Sequence, residues 1–184
     1  MTGQIADVYE YNGNRYNIVA IKGTMNFDIH ELGFDPVPIH TACWRGYHCI
    51  YNITEEGLFL KDLFVNDRNS SYPPVNGVEP EEDRFDGKVY YGINIPVKFD
   101  GGIIIGNDFL TRYYIHMGFQ RVYAYKTVYE LIFKEGLITK KTDLSKRAAL
   151  IRTEIDEKGI DRANISKFVE ESFSLDYEDK WTVY

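Results

Sequence analysis

Alternating apolar and polar positions over the first two thirds of the chain predict β-strands joined by tight turns. Residues 5–11 and 15–21 flank the dipeptide Asn12-Gly13. Because asparagine and glycine tolerate the positive φ angles of a type I′ turn, we expect an antiparallel hairpin here. A second hairpin is predicted for 41–53 and 58–65, two segments rich in aromatic and branched residues on either side of a short polar turn.

Two further hairpins are predicted downstream. Residues 89–99 and 103–105 flank Asp100, Gly101 and Gly102, which we interpret as a turn. Because Pro96 lacks the N–H that a strand ladder needs, it should lie at a bulge or an edge. The fourth hairpin joins 121–134 to 137–140 through Glu135 and Gly136. In it, alternation places three apolar side chains on one face: Tyr129, Leu131 and Phe133.

The apolar period changes after residue 143 and predicts two amphipathic helices. Asp143 is a suitable N-cap for the first, and Gly159 a suitable end. Its apolar stripe is Leu144, Ala148, Ile151 and Ile155. Asp161 or Asn164 would cap the second, whose apolar face is Ile165, Phe168, Val169 and Phe173. Residues 176–184 are expected to form a C-terminal tail.

Hairpins followed by helices are typical of an α+β fold, with a predominantly antiparallel sheet or partly open barrel covered by two C-terminal amphipathic helices. The length of 184 residues fits a single domain, 1–184. Residues 66–87 combine prolines, glycines and acids and are expected to form an exposed acidic loop. The pattern leaves the conformations of 23–40 and 108–117 open, with a short turn favoured within each.

Charge and composition narrow the functional classes. A net charge of −7 and a pI near 5.1 argue against a nucleic-acid partner, whose phosphates need a basic surface. The sequence has no apolar run of the roughly 20 residues needed to cross a bilayer, so no membrane association is expected. Cys43 and Cys49, placed in one predicted strand, are expected to be buried reduced thiols, as in a cytoplasmic protein.

The sequence contains no strong catalytic, metal or cofactor signature. Cys43 lies near His40 and His48, but an odd spacing would direct Cys43 and His48 to opposite faces of a strand. The histidines lack the close periodic spacing of a zinc site. Gly101 and Gly102 precede neither a helix nor a phosphate-binding lysine. We therefore expect no catalytic residues, no metal and no cofactor.

The most distinctive stretch is 42–51, in which alternation would separate Trp44 and His48 from Arg45 and Tyr47. An arginine between aromatic residues has two interpretations. Arg45 could bind an anionic ligand through bidentate hydrogen bonds, or it could pair with a carboxylate and pack on neighbouring rings. The location of its guanidinium decides between them.

The sequence favours a non-enzymatic binding protein, such as an immunity-type inhibitor of a basic toxin or enzyme. An acidic surface would speed encounter with a basic protein partner, and aromatic side chains would supply affinity. The candidate partner-binding residues are Trp44, Arg45, Tyr47, His48, His116, Glu81, Glu82 and Asp83. The alternative is a pocket that binds or hydrolyses a small anionic ligand, using Arg45 with His48 or His116.

Overall fold

Three of the four predicted hairpins are present with the expected turn geometry. The computed structural model describes residues 2–85, 87–158 and 165–181. Asn12 and Gly13 have φ angles of 50° and 75°, and Glu135 and Gly136 have φ angles of 51° and 82°. Two successive positive φ angles produce the twist that joins antiparallel strands. These two hairpins are confirmed, as is the one closed by the turn between Thr54 and Gly57.

Strands are the predominant regular structure of the described chain. The strands are β1 (Val8–Tyr11), β2 (Asn14–Asn26), β3 (Tyr47–Thr54), β4 (Gly57–Val65), β5 (Glu81–Asp83), β6 (Gly87–Tyr90), β7 (Ile95–Phe109), β8 (Tyr125–Lys134) and β9 (Leu137–Asp143). The helices are α1 (Ser145–Lys158) and the eight-residue α2 (Ile165–Ser172). Short 3-10 turns lie at Ile29–Leu32, Thr111–Tyr113, Val122–Ala124 and Asp179–Trp181.

Five strands close a barrel, and the remaining strands extend the sheet at both ends. The strand order is β5-β6-β4-β3-β1-β2-β7-β8-β9, and an additional pairing of β4 with β7 closes the ring. All these pairings are antiparallel except that of β1 with β3, which runs parallel from Val8 opposite Ile50 to Tyr11 opposite Ile53. The α+β class with a mainly antiparallel barrel is confirmed, and the parallel pair makes the barrel mixed.

The predicted hairpin at Asp100–Gly102 is wrong, because these residues lie inside the long strand β7. Gly101 opposes Gly23 of β2, and a Cβ on Gly101 would lie 2.1 Å from the carbonyl oxygen of Lys22. The glycines therefore permit a close backbone approach rather than a reversal of the chain. The first residues of β7, including Pro96, pair with β4, and the later ones pair with β2 and β8.

The connecting segments are more structured than their composition indicates. The turn favoured near residue 30 is a 3-10 turn whose first N–H groups are capped by Asp28, and a second one lies at Thr111–Tyr113. Residues 66–87 are exposed over most of their length, but Val75 and Asp67 are each only 3% exposed, and the segment contains β5. Val75 packs in the hydrophobic core, and Asp67 accepts the backbone N–H of Asp35 in the preceding connection.

One main helix covers the sheet near the C-terminus. The Asp143 carboxylate accepts a hydrogen bond from the backbone N–H of Ser145 at 2.8 Å, and α1 buries Ala148 and Ile155 as its apolar stripe predicts. The prediction of a second amphipathic helix is not confirmed. The proposed caps Asp161 and Asn164, and Gly159 at the end of the first helix, lie outside the described residues, as do the side chains of Ile165 and Phe168.

Two apolar clusters lie on opposite sides of the barrel wall. Ile103 and Ile105 of β7 point into the larger cluster with Tyr9 and Tyr51, whose rings stack at 4.9 Å. Ile104 points the other way, into the cluster beneath α1. This alternation follows from the two-residue period of a strand, and it explains why both faces of β7 are apolar.

Candidate functional site

The segment that carries Trp44 and Arg45 is a turn, not the first half of a strand. Backbone N–H groups of Cys43 and Gly46 donate to the carbonyl oxygens of His40 and Cys43, at 3.2 and 3.1 Å. Gly46 has a φ of 75°, and a Cβ there would lie 2.5 Å from the backbone nitrogen of Val37. The strand begins only at Tyr47, so the face alternation predicted from residue 42 is wrong.

Arg45 is held by Asp7. Its two terminal nitrogens donate to the two Asp7 carboxylate oxygens at 2.7 and 3.2 Å, and its guanidinium lies 4.8 Å from the centre of the Tyr47 ring. Burial alone lowers the pKa of Arg45, but the Asp7 carboxylate outweighs this effect and raises it. Asp7 also accepts the backbone N–H of Cys49 at 2.9 Å. The geometry agrees with the carboxylate-paired interpretation of Arg45.

This ion pair ties three separate segments together. Asp7 directly precedes β1, Arg45 lies in the turn before β3, and Cys49 belongs to β3. The Asp7 side chain is 9% exposed and that of Arg45 is 35% exposed. A carboxylate at that depth needs a compensating charge and hydrogen bonds, which Arg45 and the Cys49 N–H provide. The pair therefore contributes to the parallel joining of β1 and β3.

Trp44 forms one wall of an apolar groove. Its side chain is largely outside the core, at 59% exposure, and its ring centre lies 6.0 Å from that of Phe173. The groove has a volume of 480 Å³ and is lined by Gln4, Trp44, Arg45, Phe119, Phe173 and Leu175. Trp44 is the exposed aromatic side chain of this groove, whereas Phe119 is only 8% exposed.

A second aromatic surface lies on the outer face of the sheet. The His48 ring stacks on Phe64 with centres 4.4 Å apart and planes inclined by 12°, and Tyr91 meets Phe64 edge-on at 6.0 Å. In the strand register, His48 opposes Phe64, Phe64 opposes Val89, and Val89 opposes Glu81. Directly opposed residues share a face, so this row runs from an aromatic stack through the buried Val89 to the acidic strand β5. We call it the outer row.

The three predicted acidic residues form β5, the terminal strand of the sheet. Glu81 and Glu82 are exposed, and Glu82 forms an ion pair with Lys88 of the neighbouring strand. Asp83 is half-buried, and its carboxylate accepts the backbone N–H of Phe85 at 2.8 Å. Phe85 itself is 65% exposed. The acidic edge is thus accompanied by another exposed aromatic ring.

The candidate residues do not converge on one point. Arg45 contacts Asp7 and Tyr47, His48 stacks on Phe64, and the His116 ring meets Tyr114 edge-on at 4.7 Å. A pocket built from Arg45 and a histidine is therefore not favoured by these contacts. Among the described residues, no group of three His, Cys, Asp or Glu side chains is arranged to hold a metal ion. Cys43 and Cys49 are both buried thiols.

A separate cleft of 930 Å³ lies at the hairpin tips of the barrel, between residues 10–15, 52–55 and 137–138. Its main charged groups are already paired. Glu10 accepts hydrogen bonds from Lys61 at 2.7 Å and Arg15 at 3.0 Å, and the Lys61 bond is the main reason that the pKa of Glu10 is lowered. This cleft was not predicted from the sequence, because three distant turns create it.

Sequence patterns missed several residues of these surfaces. Asp7 is a lone acid before a strand, and nothing local indicates that it pairs with Arg45, 38 positions away. Phe64 and Tyr91 were assigned only to strands. The available signal was the alternation in 58–65. It directs Phe64 to the face of β4 that its buried neighbours Leu63 and Val65 do not share, which is the outer face.

Comparison with protein-family models, with curated proteins and with solved structures finds no significant match to this chain. None of the helices in the described part of the chain is long and apolar enough to span a membrane. The geometry of the outer row and of the Arg45 segment is therefore the basis for assigning a function.

Proposed function

We propose that this protein is a non-enzymatic binding protein that recognises a basic protein partner, as an immunity-type inhibitor of a basic toxin or enzyme would. The observation that carries the proposal is the outer row, in which the stacked rings of His48 and Phe64 share a sheet face with Glu81 of the acidic edge strand. Aromatic centres with a charged periphery are typical of protein interfaces.

Electrostatics support the same type of partner. The net charge of −7 repels nucleic acids and acidic proteins and attracts basic ones. Glu81 and Glu82 are exposed in the terminal strand of the sheet, and Glu81 shares a face with the rings of His48 and Phe64, where an approaching partner would meet it. Such an arrangement accelerates encounter through long-range attraction, and the aromatic contacts then slow dissociation.

The anionic-pocket alternative has less support. It required a guanidinium that faces a wet cavity, whereas Arg45 donates to both oxygens of Asp7. An anionic ligand would have to compete for Arg45 with the Asp7 carboxylate, which is almost fully buried and belongs to the same chain. We therefore do not propose ligand hydrolysis at this position.

The test is recovery of the tagged protein from a lysate of its native cells at low salt, followed by identification of co-eluting proteins and small molecules by mass spectrometry. The proposal expects a stoichiometric basic protein that is released by added salt, because screening weakens attraction between exposed charges. Recovery of a small anion with no protein partner would contradict it and would restore the pocket interpretation.

A further inference from the structure

The last described residues of the chain form a strap across the barrel. We define the C-terminal strap as residues 172–181. The backbone N–H of Phe119 donates to the carbonyl oxygen of Ser172 at 2.7 Å, and that of Ile21 donates to Leu175 at 2.7 Å. Near the end of the strap, the guanidinium of Arg147 lies 3.8 Å from the centre of the Trp181 ring. The strap is therefore tied to the barrel and to α1.

Lys180 is the unusual member of the strap, because its side chain is completely buried. Its relative exposure is 0%, and its Nζ donates to the carbonyl oxygen of Phe119 at 3.5 Å, the long limit of a hydrogen bond. The same Nζ lies 5.8 Å from the centre of the Phe119 ring. A buried ammonium normally needs close charged or polar partners to offset its lost hydration.

Lys180 shares its buried surroundings with a second cation, Arg121, and with two acids. Arg121 is also 0% exposed, and its NH1 lies 3.7 Å from the carboxylate of Glu171. Among the described residues, the acids that act on Lys180 are Glu171 and Asp179. The pKa of Lys180 is lowered to about 7, first by burial and then by Arg121, whereas Asp179 and Glu171 oppose the shift. The docked strap therefore favours the neutral amine.

We propose that the C-terminal strap is a pH-sensitive latch, in which protonation of Lys180 weakens docking of the strap against Phe119. In a released strap, Lys180 regains water and its ordinary pKa of about 10.4. Because the docked form has the lower pKa, docking is strongest above roughly pH 10.4, where the Lys180 amine is neutral in both the docked and the released form. Docking weakens about tenfold per pH unit as the pH falls from roughly 10.4 towards the pKa of the docked form, and is constant below it.

Release of the latch would change the groove beside Trp44. Phe173 and Leu175 belong to the strap and line this groove with Trp44 and Phe119. Undocking removes both strap residues and uncovers Phe119, which is 8% exposed in the docked form. The pH thus controls whether the groove exists, independently of the partner proposed for the outer row.

Amide hydrogen exchange measured by NMR tests the latch directly. The N–H groups of Ile21 and Phe119 report on docking, because each donates to a carbonyl oxygen of the strap. Their protection factors, corrected for the intrinsic rate at each pH, should rise about tenfold per unit between roughly pH 7 and 9. In Lys180→Met the same protection should be higher at neutral pH and independent of pH. The matched control is Lys158→Met, an exposed lysine on α1, which should retain the wild-type dependence.

The proposal would be overturned if the protection factors of the wild-type protein did not depend on pH. It would also be overturned if those of Lys180→Met changed with pH as steeply as those of the wild type. Should Lys180→Met not fold, the side-chain resonances of Lys180 in the wild-type protein give an independent result. Titration of this amine near its ordinary value in the folded protein contradicts the latch, and titration several units lower supports it.

Discussion

Arg45 and Asp7 form a bidentate ion pair, in which Nη2 of Arg45 donates to Oδ1 of Asp7 at 2.7 Å and Nη1 donates to Oδ2 at 3.2 Å. The pair joins the turn before β3 to the residue before β1, the two strands that make the parallel step of the barrel. Removing one partner of such a pair leaves a buried charge without compensation, so the fold itself depends on Arg45.

We expect Arg45→Ala to lower the free energy of unfolding by about 2 kcal/mol, less than a fully buried pair because Arg45 is partly exposed. Denaturant unfolding measures the change. The matched control is Arg68→Ala, which removes the exposed pair with Asp35 and should cost less than about 0.5 kcal/mol. Unchanged stability of Arg45→Ala, together with loss of a co-purifying anion, would instead establish Arg45 as a ligand-binding residue.

Asp67 should make stability depend on acid pH. Its carboxylate accepts the backbone N–H groups of Asp35, Asn69 and Ser71 at 2.6, 2.9 and 3.1 Å. Burial alone raises the pKa of Asp67, but these hydrogen bonds outweigh it and lower the pKa. A lowered folded pKa means that the stabilisation is complete above the unfolded pKa of about 3.9 and is lost as the pH falls towards the folded value.

Asp67→Asn should therefore cost about 1–3 kcal/mol at neutral pH, because one charged acceptor oxygen is lost. The variant should also lose less of its remaining stability than the wild-type protein between about pH 5 and pH 2. Unfolding free energies at several pH values measure both effects, with the exposed turn residue changed in Glu55→Gln as the control. Parallel pH curves for wild type and Asp67→Asn would show that Asp67 is not a source of the acid dependence.

Gly101 should resist substitution because the paired backbones of β2 and β7 approach each other closely at this residue. It has a φ of 153°, and a Cβ would lie 2.1 Å from the Lys22 carbonyl oxygen. We expect Gly101→Ala to destabilise the protein by about 3 kcal/mol or more. Gly13→Ala is the control, since Gly13 has a positive φ but no neighbouring atom within 4 Å, and it should cost about 1 kcal/mol. Equal costs in thermal unfolding would refute the close approach of the strands.

The acidic edge should govern the rate of association with a basic partner. Glu81→Lys combined with Glu82→Lys should slow association about tenfold at low salt and flatten its salt dependence. Glu55→Lys with Glu56→Lys changes the net charge equally at the β3–β4 turn and should have a much smaller effect. Stopped-flow or surface-binding kinetics distinguish the two. Equal slowing by both double variants would mean that total charge matters and that β5 is not part of the interface.

Much of the secondary structure is determined by local chemistry and could therefore be predicted from the sequence alone. Asn12-Gly13 and Glu135-Gly136 adopt positive φ angles that few other pairs tolerate, and the adjoining strands follow from their own alternation. The stripe of α1 likewise follows from the spacing of Ala148 and Ile155. These elements need only neighbours a few positions away, so their pattern is visible in a short stretch of chain.

Tertiary structure alone decided the barrel and both candidate surfaces. The Gly101-Gly102 pair fits a turn locally, and only the close pairing of β7 with β2, where Gly101 approaches Lys22 and Gly23, makes it part of a continuous strand. The pairing of β1 with β3 brings Asp7 to Arg45, and the pairing of β4 with β6 brings Glu81 into line with His48. These relationships depend on which strands become neighbours, and that choice arises from burial of the whole set of apolar faces rather than from any one segment.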